Sequence, residues 1–444
     1  MTPHEDRELL LDTCRRVLDI VGARAEAEVT VSSHRSALTR FANSFIHQNV
    51  ADIGWSCRLK VVVDGRLATA STSRVQTGLR DLVERALEAA RLRPVDPGWP
   101  GVSPPRRVEG TGNYDEATHV ASPEARAAIV RDFVDQGDQT IAAGFCETGG
   151  REVAFANSGG HELWGRTTKA VIEGIHRTLH ADGGGRQIAA RVGDLDGAAT
   201  GRIAAEKARA SDDPVDVDPG EWEVILEPNC VVDMLDFLTG HGFNAKEVAE
   251  GQSFVQLGEA QFDPSISIFD DATDDRAIGL PFDAEGTPRR RLDLVTAGVS
   301  TAVAYDRRTA KPAGVESTGH AVPSGEISGP FPSHVFLEPG IRPPSELIAS
   351  VRRGLLVSDF WYTRILDPKT QVVTGLTRNG TFLIEDGRVT RPVRNLRFTQ
   401  SYVEALAPGN VLGVADDGRL AGEDQYFAPT LHLASWNFSG GAKG

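Results

Sequence analysis

Asp283 and Glu285, two residues apart in Phe282-Asp283-Ala284-Glu285-Gly286, are the acid pair in this chain most suggestive of chemistry. On a strand their carboxylates would share a face, and a pair with split pKa values performs acid–base work. Gly286, Thr287 and Pro288 follow at once and spell a turn, in which either carboxylate would instead cap backbone amides. Ser317-Thr318-Gly319-His320 sets a hydroxyl three residues before an imidazole. That spacing rarely presents a nucleophile to its base, and no GxSxG elbow is present. A loop that positions a peptide backbone is the better expectation. His241 stands between Gly240 and Gly242 and reads as a satisfied structural histidine or as a donor near a cleft. His241, His320 and His334 are scattered over ~90 residues without a helix-spaced pair, a weak pattern for a metal site. Gly183-Gly184-Gly185-Arg186 lacks both the Lys-Ser/Thr of a phosphate loop and the dinucleotide spacing, and reads as a flexible hairpin tip.

Composition narrows the function classes. A net charge of −15 argues against a nucleic-acid footprint, which needs a basic face. The basic runs at Arg289–Arg291 and Arg388–Arg397 are short and read as solvated rims. No run is long and apolar enough to span a bilayer, so no membrane is expected. The N-terminal residues are acidic and lack signal-peptide character. Cys14, Cys57, Cys146 and Cys230 lie far apart, which fits reduced thiols in a cytoplasmic protein.

The elements that must position these residues follow from periodicity. Thr2-Pro3-His4-Glu5 reads as a capping box for a first helix with Leu10, Cys14, Val17 and Val21 as its apolar stripe. Period-two runs at 27–33, 44–50 and 54–63 predict strands, with Asp64-Gly65 as a hairpin turn into 66–73. Leu79, Leu82, Val83, Ala86, Leu87 and Ala90 predict a second helix, and 94–118 a long surface loop. Ser122-Pro123-Glu124 opens a third helix, closed at Gly137. Strands are predicted at 140–147, 152–157 and 162–176, and a helix at 203–210. Residues 211–220, acidic with two prolines, read as a linker. The expected fold class is therefore α+β in two domains: a mixed sheet-and-helix domain over 1–215 and a sheet-dominated domain over 221–444. In the second, helices are predicted only at 230–239, with Asn229 as cap, and at 345–353, with Ser345 as cap. Ala297-Gly298 and Asp386-Gly387 are its hairpin turns.

Several phrases occur together in one order: Asp52-Ile53-Gly54, Arg58-Leu59-Lys60-Val61-Val62-Val63-Asp64-Gly65-Arg66 and Phe155-Ala156-Asn157-Ser158-Gly159-Gly160. Pro281–Pro288, Glu316-Ser317-Thr318-Gly319-His320 and Leu383-Ile384-Glu385-Asp386-Gly387-Arg388-Val389 with Pro392-Val393 complete the set. Together they resemble the TldD/TldE family, in which TldE is also called PmbA, over nearly the whole chain. The resemblance implies a heterodimer that hydrolyses short or unfolded peptides, threaded in extended form into a cleft between subunits. TldD-like subunits carry HExxxH on a helix and a later cysteine that completes a zinc site. Here the six positions read Asp236-Phe237-Leu238-Thr239-Gly240-His241, and 420–425 contains no cysteine. Phe237 stands at the position of the general base and cannot take a proton from water. The resemblance therefore implies a TldE-like subunit with no catalytic residue and no metal of its own, zinc being expected in a TldD-like partner. His241, Phe282, Asp283, Glu285, Gly286, Ser317, Thr318, Gly319 and His320 become candidates for lining the cleft or touching the partner. Two other functions stay open: an interaction protein modulating a nucleic-acid enzyme such as gyrase, and a self-sufficient hydrolase with a rearranged site.

Overall fold

The computed structural model describes residues 3–323, 325–422 and 426–441. Thr2, on which the expected capping box rests, lies outside them. The fold is mixed α+β, 24% helical and 40% strand.

The first half builds one antiparallel six-stranded sheet. Its order is Arg66–Thr72, Phe45–Val63, Glu26–Ala42, Ile141–Asn157, Glu162–Arg177, Asp182–Ala189. The chain runs helix, three strands, helix twice over: first from Pro3–Val21 to Leu79–Arg91, then from Pro123–Val134 to Gly197–Ala210. The two units join where Glu26–Ala42 pairs with Ile141–Asn157. The strands are longer than their sequence signals suggest. Residues expected as separate strands at 44–50 and 54–63 form one strand, and so do those at 140–147 and 152–157.

All four helices cover one face. Leu10, Cys14, Val17 and Val21 pack with Leu82, Val83 and Leu87 on Val29, Val31, Cys57 and Leu59. Val130, Phe133 and Ala204 pack on Phe41, Ala142, Cys146 and Ile172. Side chains alternate along a strand, so Glu28, Thr30, Ser32, Arg58, Lys60, Arg151 and Val153 face the other way, toward the second half. The glycine run at 183–185 is not a hairpin tip. It belongs to the strand Asp182–Ala189, where a Cβ on Gly183 or Gly185 would meet the helix backbone at 2.2 Å from Ala204 O or 2.3 Å from Thr200 O. The missing side chains let the helix lie directly on the sheet.

The second half is dominated by sheet. Five strands close a ring: Arg353–Asp367, Gly220–Leu226, Leu431–Gly441, Leu396–Ser401 and Val372–Glu385, which pairs back to Arg353–Asp367. A second sheet runs Val299–Ser300, Leu292–Thr296, Ile268–Asp270, Val335–Leu337, Tyr426–Ala428, Arg419–Ala421. The helix Pro228–His241 buries Cys230, Val231, Met234, Leu235 and Leu238 in the core with Trp436 and Phe438 of the ring.

Several local expectations need correction. That helix begins after Glu227, with Pro228 in its first turn, so Asn229 lies inside it. Proline at the first helical position surrenders only an N–H the helix does not use. The helix expected at 345–353 is Pro344–Ser350, and Arg353 already opens a strand. Among the described residues five short helices were not anticipated: Glu116–His119, Ala245–Ala249, Arg307–Ala313, Gly325–Ser328 and Tyr402–Ala405. The segment 94–118 is a strap across the two halves. Asp96 pairs with Arg308, Arg307 donates to Gly101 O at 2.6 Å, and Asn113 donates to Asp275 O at 2.8 Å. Residues 211–220 are likewise tied down, with Val215 N–H donating to Pro392 O at 2.9 Å and Arg394 N–H to Val215 O at 3.0 Å.

Candidate functional site

The helix-free face of the first sheet turns toward the second half and encloses two cavities. An apolar seam of Phe145, Val171, Ile188, Ile278 and Leu420 joins the halves between strands that line both.

The first cavity, about 610 Å³, is walled by the helix Pro228–His241, the strands around Ser358–Thr363 and Arg378–Asn379, and the sheet at Phe145, Glu173 and Arg186. The helix contributes Val232, Asp233 and Asp236. Asp233 accepts hydrogen bonds from Thr363 Oγ1 and Tyr402 Oη, each at 2.7 Å. Burial outweighs those bonds and pushes Asp233 up to about 6. Asp359, which accepts from Asn379 Nδ2 at 3.3 Å, is pushed by burial to about 7. Tyr426 Oη reaches Asp236 Oδ1 at 3.3 Å. Ala421 and Gly422 close the wall, and a Cβ on Gly422 would meet Val232 Cγ2 at 2.7 Å. Glu423, Asp424 and Gln425, in the region read for a third ligand, lie outside the described residues.

Phe237 and His241 do not line this cavity. The two rings stack with centroids 6.4 Å apart, and Phe237 meets Tyr402 edge-on at 5.9 Å. Residues 219–440, half of the chain, match the model of the PmbA/TldA metallopeptidase C-terminal domain, and residues 27–90 match domain 1 of the same metallopeptidases. The chain belongs to the PmbA/TldA family.

Two curated relatives of this PmbA/TldA chain are metalloprotease TldD homologues. The one from Haemophilus influenzae is 26% identical over 314 residues, covering 69% of this chain and 59% of that protein. The one from Buchnera aphidicola is 24% identical over 199 residues, covering 44% and 41%. The chain thus spans less than two thirds of either relative's length. The crystal structure of TldE from Thermococcus kodakarensis superposes with a TM-score of 0.85 at 19% identity, covering 98% of this chain and 100% of that one, a likeness of fold.

A metallopeptidase family implies zinc, so the donor set on the helix is the test. Zinc needs three nitrogen, sulfur or carboxylate ligands converging on one point. Phe237 offers none, Asp236 lies on the cavity side, and His241 packs against Phe237 away from it. Among the described residues no three His, Cys, Asp or Glu side chains gather as metal ligands. The described residues do not fit the metal.

The second cavity, about 580 Å³, lies between the sheet and the loops 278–334. Of the remaining candidate residues Phe282 and Asp283 line it, while Glu285, Gly286 and Ser317 line smaller hollows nearby. Asp283 accepts backbone N–H bonds from Glu285 at 2.9 Å, Thr287 at 2.8 Å and Ala321 at 2.9 Å, so it ties its own turn to the 316–321 loop. Gly286 has φ +75°, and a Cβ there would stand 2.5 Å from the Phe155 ring. Phe282 packs with Val153 and Phe155. Glu285 accepts from Arg307 N–H at 3.1 Å, and burial with the neighbouring Asp283 carboxylate pushes it up to about 8.

Ser317 Oγ donates to Tyr305 O at 3.1 Å, and Thr318 Oγ1 accepts from Tyr305 N–H at 2.8 Å, so both hydroxyls hold the loop. Gly319 has φ +81° and passes against Pro288 O, which a Cβ would meet at 2.6 Å. His320 is fully buried, bonded to Thr318 Oγ1 at 2.9 Å and Asp270 Oδ1 at 3.0 Å. Asp270 also accepts from His334 N–H at 2.7 Å. Burial alone would raise Asp270; His320, His334 and Arg289 together hold it below its usual range. His334 is pushed down to about 4 by burial and by Arg289, which donates to His334 Nδ1 at 2.9 Å.

The structure therefore brings Phe282, Asp283, Glu285, Gly286, Ser317, Thr318, Gly319 and His320 together, and leaves His241 apart. Sequence reasoning missed Asp233, Asp359 and Asp270. Asp233 had a signal, since it precedes Asp236 by three residues and shares its helix face. Asp359 had none, being one acid in a largely apolar strand, and nothing set Asp270 apart from its neighbours Asp271, Asp274 and Asp275.

Proposed function

We propose that this chain is the TldE/PmbA-like, non-catalytic subunit of a heterodimeric zinc metallopeptidase acting on short or unfolded peptides in the cytoplasm. In this reading zinc and the general base belong to a TldD-like partner, and this chain walls the substrate cleft. Residues 1–215 and 221–444 are taken as its two folding units. The observation that carries the reading is the helix Pro228–His241. It is placed against a cavity as a catalytic helix would be, with Asp236 toward the cavity and Phe237 turned into a stack with His241 and Tyr402.

The turn at 282–288 buries Phe282, Asp283 and Glu285, which suits a cavity wall and not an outer contact. Trp361, Tyr362 and Leu366 are 52%, 65% and 60% exposed on one strand, and the first two also edge the first cavity. This apolar patch is the proposed partner contact. Mixing the purified chain with a TldD-like subunit tests the reading. Peptidase activity of the partner should rise with the concentration of this chain and saturate. The same activity with and without the chain would defeat the proposal.

A further inference from the structure

The second cavity is lined by polar and charged groups that packing the two halves together does not require. Where the sheet meets the second half at Phe145, Val171, Ile188, Ile278 and Leu420, the contact is apolar and filled. A few residues away the same face carries Thr30, Ser32, Ser56, Ser71 and Thr167, and the space above them is empty. Ser32 and Ser56 are paired across strands, their hydroxyl oxygens 2.9 Å apart.

Three guanidinium groups enter this space: Arg58, Arg151 and Arg289. Arg58 donates to Pro323 O, and Arg289 to Ser333 Oγ at 3.0 Å and His334 Nδ1 at 2.9 Å. Among the described residues the Arg151 side chain, on the solvent-exposed side of the cavity, has no hydrogen-bond partner, and none of the three forms an ion pair with a carboxylate within 4 Å. Arg289 faces the buried carboxylates of Asp270 and Asp283; in a chain of 62 acidic and 47 basic residues, Arg58 and Arg151 are left as the cavity's cations without an ion pair and call for a ligand of opposite charge. Lys60, in the same cavity, is instead paired with Glu28 at 3.1 Å.

Register sets the shape of that ligand. Arg58 lies opposite Thr30, which lies opposite Phe155; Arg151 lies opposite His34. The two arginines are thus four residues apart along the strands, ~13 Å, and two strands apart, ~10 Å. The Ser32–Ser56 pair lies between them. Val153, Phe155, Leu280 and Phe282 give one apolar wall. A small inorganic anion would use one end of such a site. An elongated ligand uses all of it: a carboxylate for Arg151, carbonyl oxygens for Arg58 and the hydroxyls, and apolar side chains for the wall.

The geometry points to a binding site in this cavity for the C-terminal end of a short peptide, its α-carboxylate against Arg151. The inference rests on the peptide-handling function above and assigns it a place separate from the helix Pro228–His241. The test is calorimetric titration of the full chain with N-acetyl-leucyl-phenylalanine, with its C-terminal amide, and with inorganic phosphate. The free acid should bind ~10-fold or more tightly than the amide, because a charge-assisted guanidinium–carboxylate contact is lost in the amide. Arg151→Gln should abolish that preference with an unchanged melting temperature, and Arg388→Gln on the exposed rim should keep it. Equal binding of acid and amide, binding of neither at millimolar concentration, or retention of the preference in Arg151→Gln would each overturn the proposal. Displacement of the acid by an equal concentration of phosphate would also overturn it, in favour of a small-anion site. The titration uses this chain alone, so its outcome is separate from whether a TldD-like partner responds to the chain.

Discussion

Replacing Glu285 with Gln should make the protein's stability less dependent on pH, with a sign that can be worked out. Burial, the adjacent Asp283 and the nearby Glu28 favour the protonated acid, raising Glu285 from 4.5 to about 8 despite the opposing Lys60. Between those values the folded state holds a proton that the unfolded chain has released. Stability from this group is therefore fully present below about pH 4.5 and lost as pH rises toward about 8. A displacement of that size corresponds to about 5 kcal/mol at its limit; local relaxation and water entry bring the working expectation to about 2–4 kcal/mol. Gln keeps an oxygen for the Arg307 N–H, which Glu285 accepts at 3.1 Å, and cannot ionise. Urea unfolding followed by tryptophan fluorescence, at about pH 5 and about pH 8, measures the difference. Near pH 5 the two proteins should be close in stability. Near pH 8 the Gln variant should be the more stable by about 2 kcal/mol or more. A gap that stays constant within about 0.3 kcal/mol across that range would show that Glu285 does not carry the proton and would refute the reasoning.

Asp236→His with Phe237→Glu restores HExxxH in the sequence but should give neither stoichiometric zinc nor peptide hydrolysis, because the third ligand and supporting partners are missing. Metal content and peptide cleavage by the purified variant check this. Gly286→Ala should cost about 2–4 kcal/mol in a denaturant titration, since φ is +75° and the new methyl would stand 2.5 Å from the Phe155 ring. All four cysteines are buried, and burial raises each thiol above its ordinary value. A thiol-reactive dye should therefore leave the native chain unlabelled and react fully in strong denaturant. Trp361→Ala with Tyr362→Ala should weaken association with a TldD-like subunit ~10-fold or more without lowering the melting temperature. Sedimentation or surface binding of the two purified subunits would reveal the loss.

Much of the secondary structure was legible because its causes are local. Leu79, Leu82, Val83, Ala86, Leu87 and Ala90, read from period alone, are the buried face of the helix Leu79–Arg91. Ser122 caps the helix Pro123–Val134 by accepting from Ala125 N–H at 3.2 Å. Asp64-Gly65, Ala297-Gly298 and Asp386-Gly387 all adopt positive φ, as two-residue hairpin turns require. The ordered phrases and the departures at Asp236 and Phe237 were also present in the letters, and with them the family.

Other features needed the folded chain. The glycine run at 183–185 looked like a loop because period and composition do not say that a helix backbone will pass within reach of Gly183 and Gly185. The short helix Arg307–Ala313, with Pro312 inside, is too brief to show a period and is held by contacts to the 94–118 strap. Asp233 and Asp359 are 126 positions apart and meet at one cavity because the ring of strands closes over the helix Pro228–His241. Arg58, Arg151 and Arg289 come from two strands and a loop, and share a hollow only after both halves pack. Sequence alone determined which way each strand and helix presents its apolar side, since that depends on residues two to four positions away. Which polar residues then face each other was decided by tertiary packing, because the burial that shifts Asp233, Asp359 and Glu285 exists only once distant segments exclude water around them.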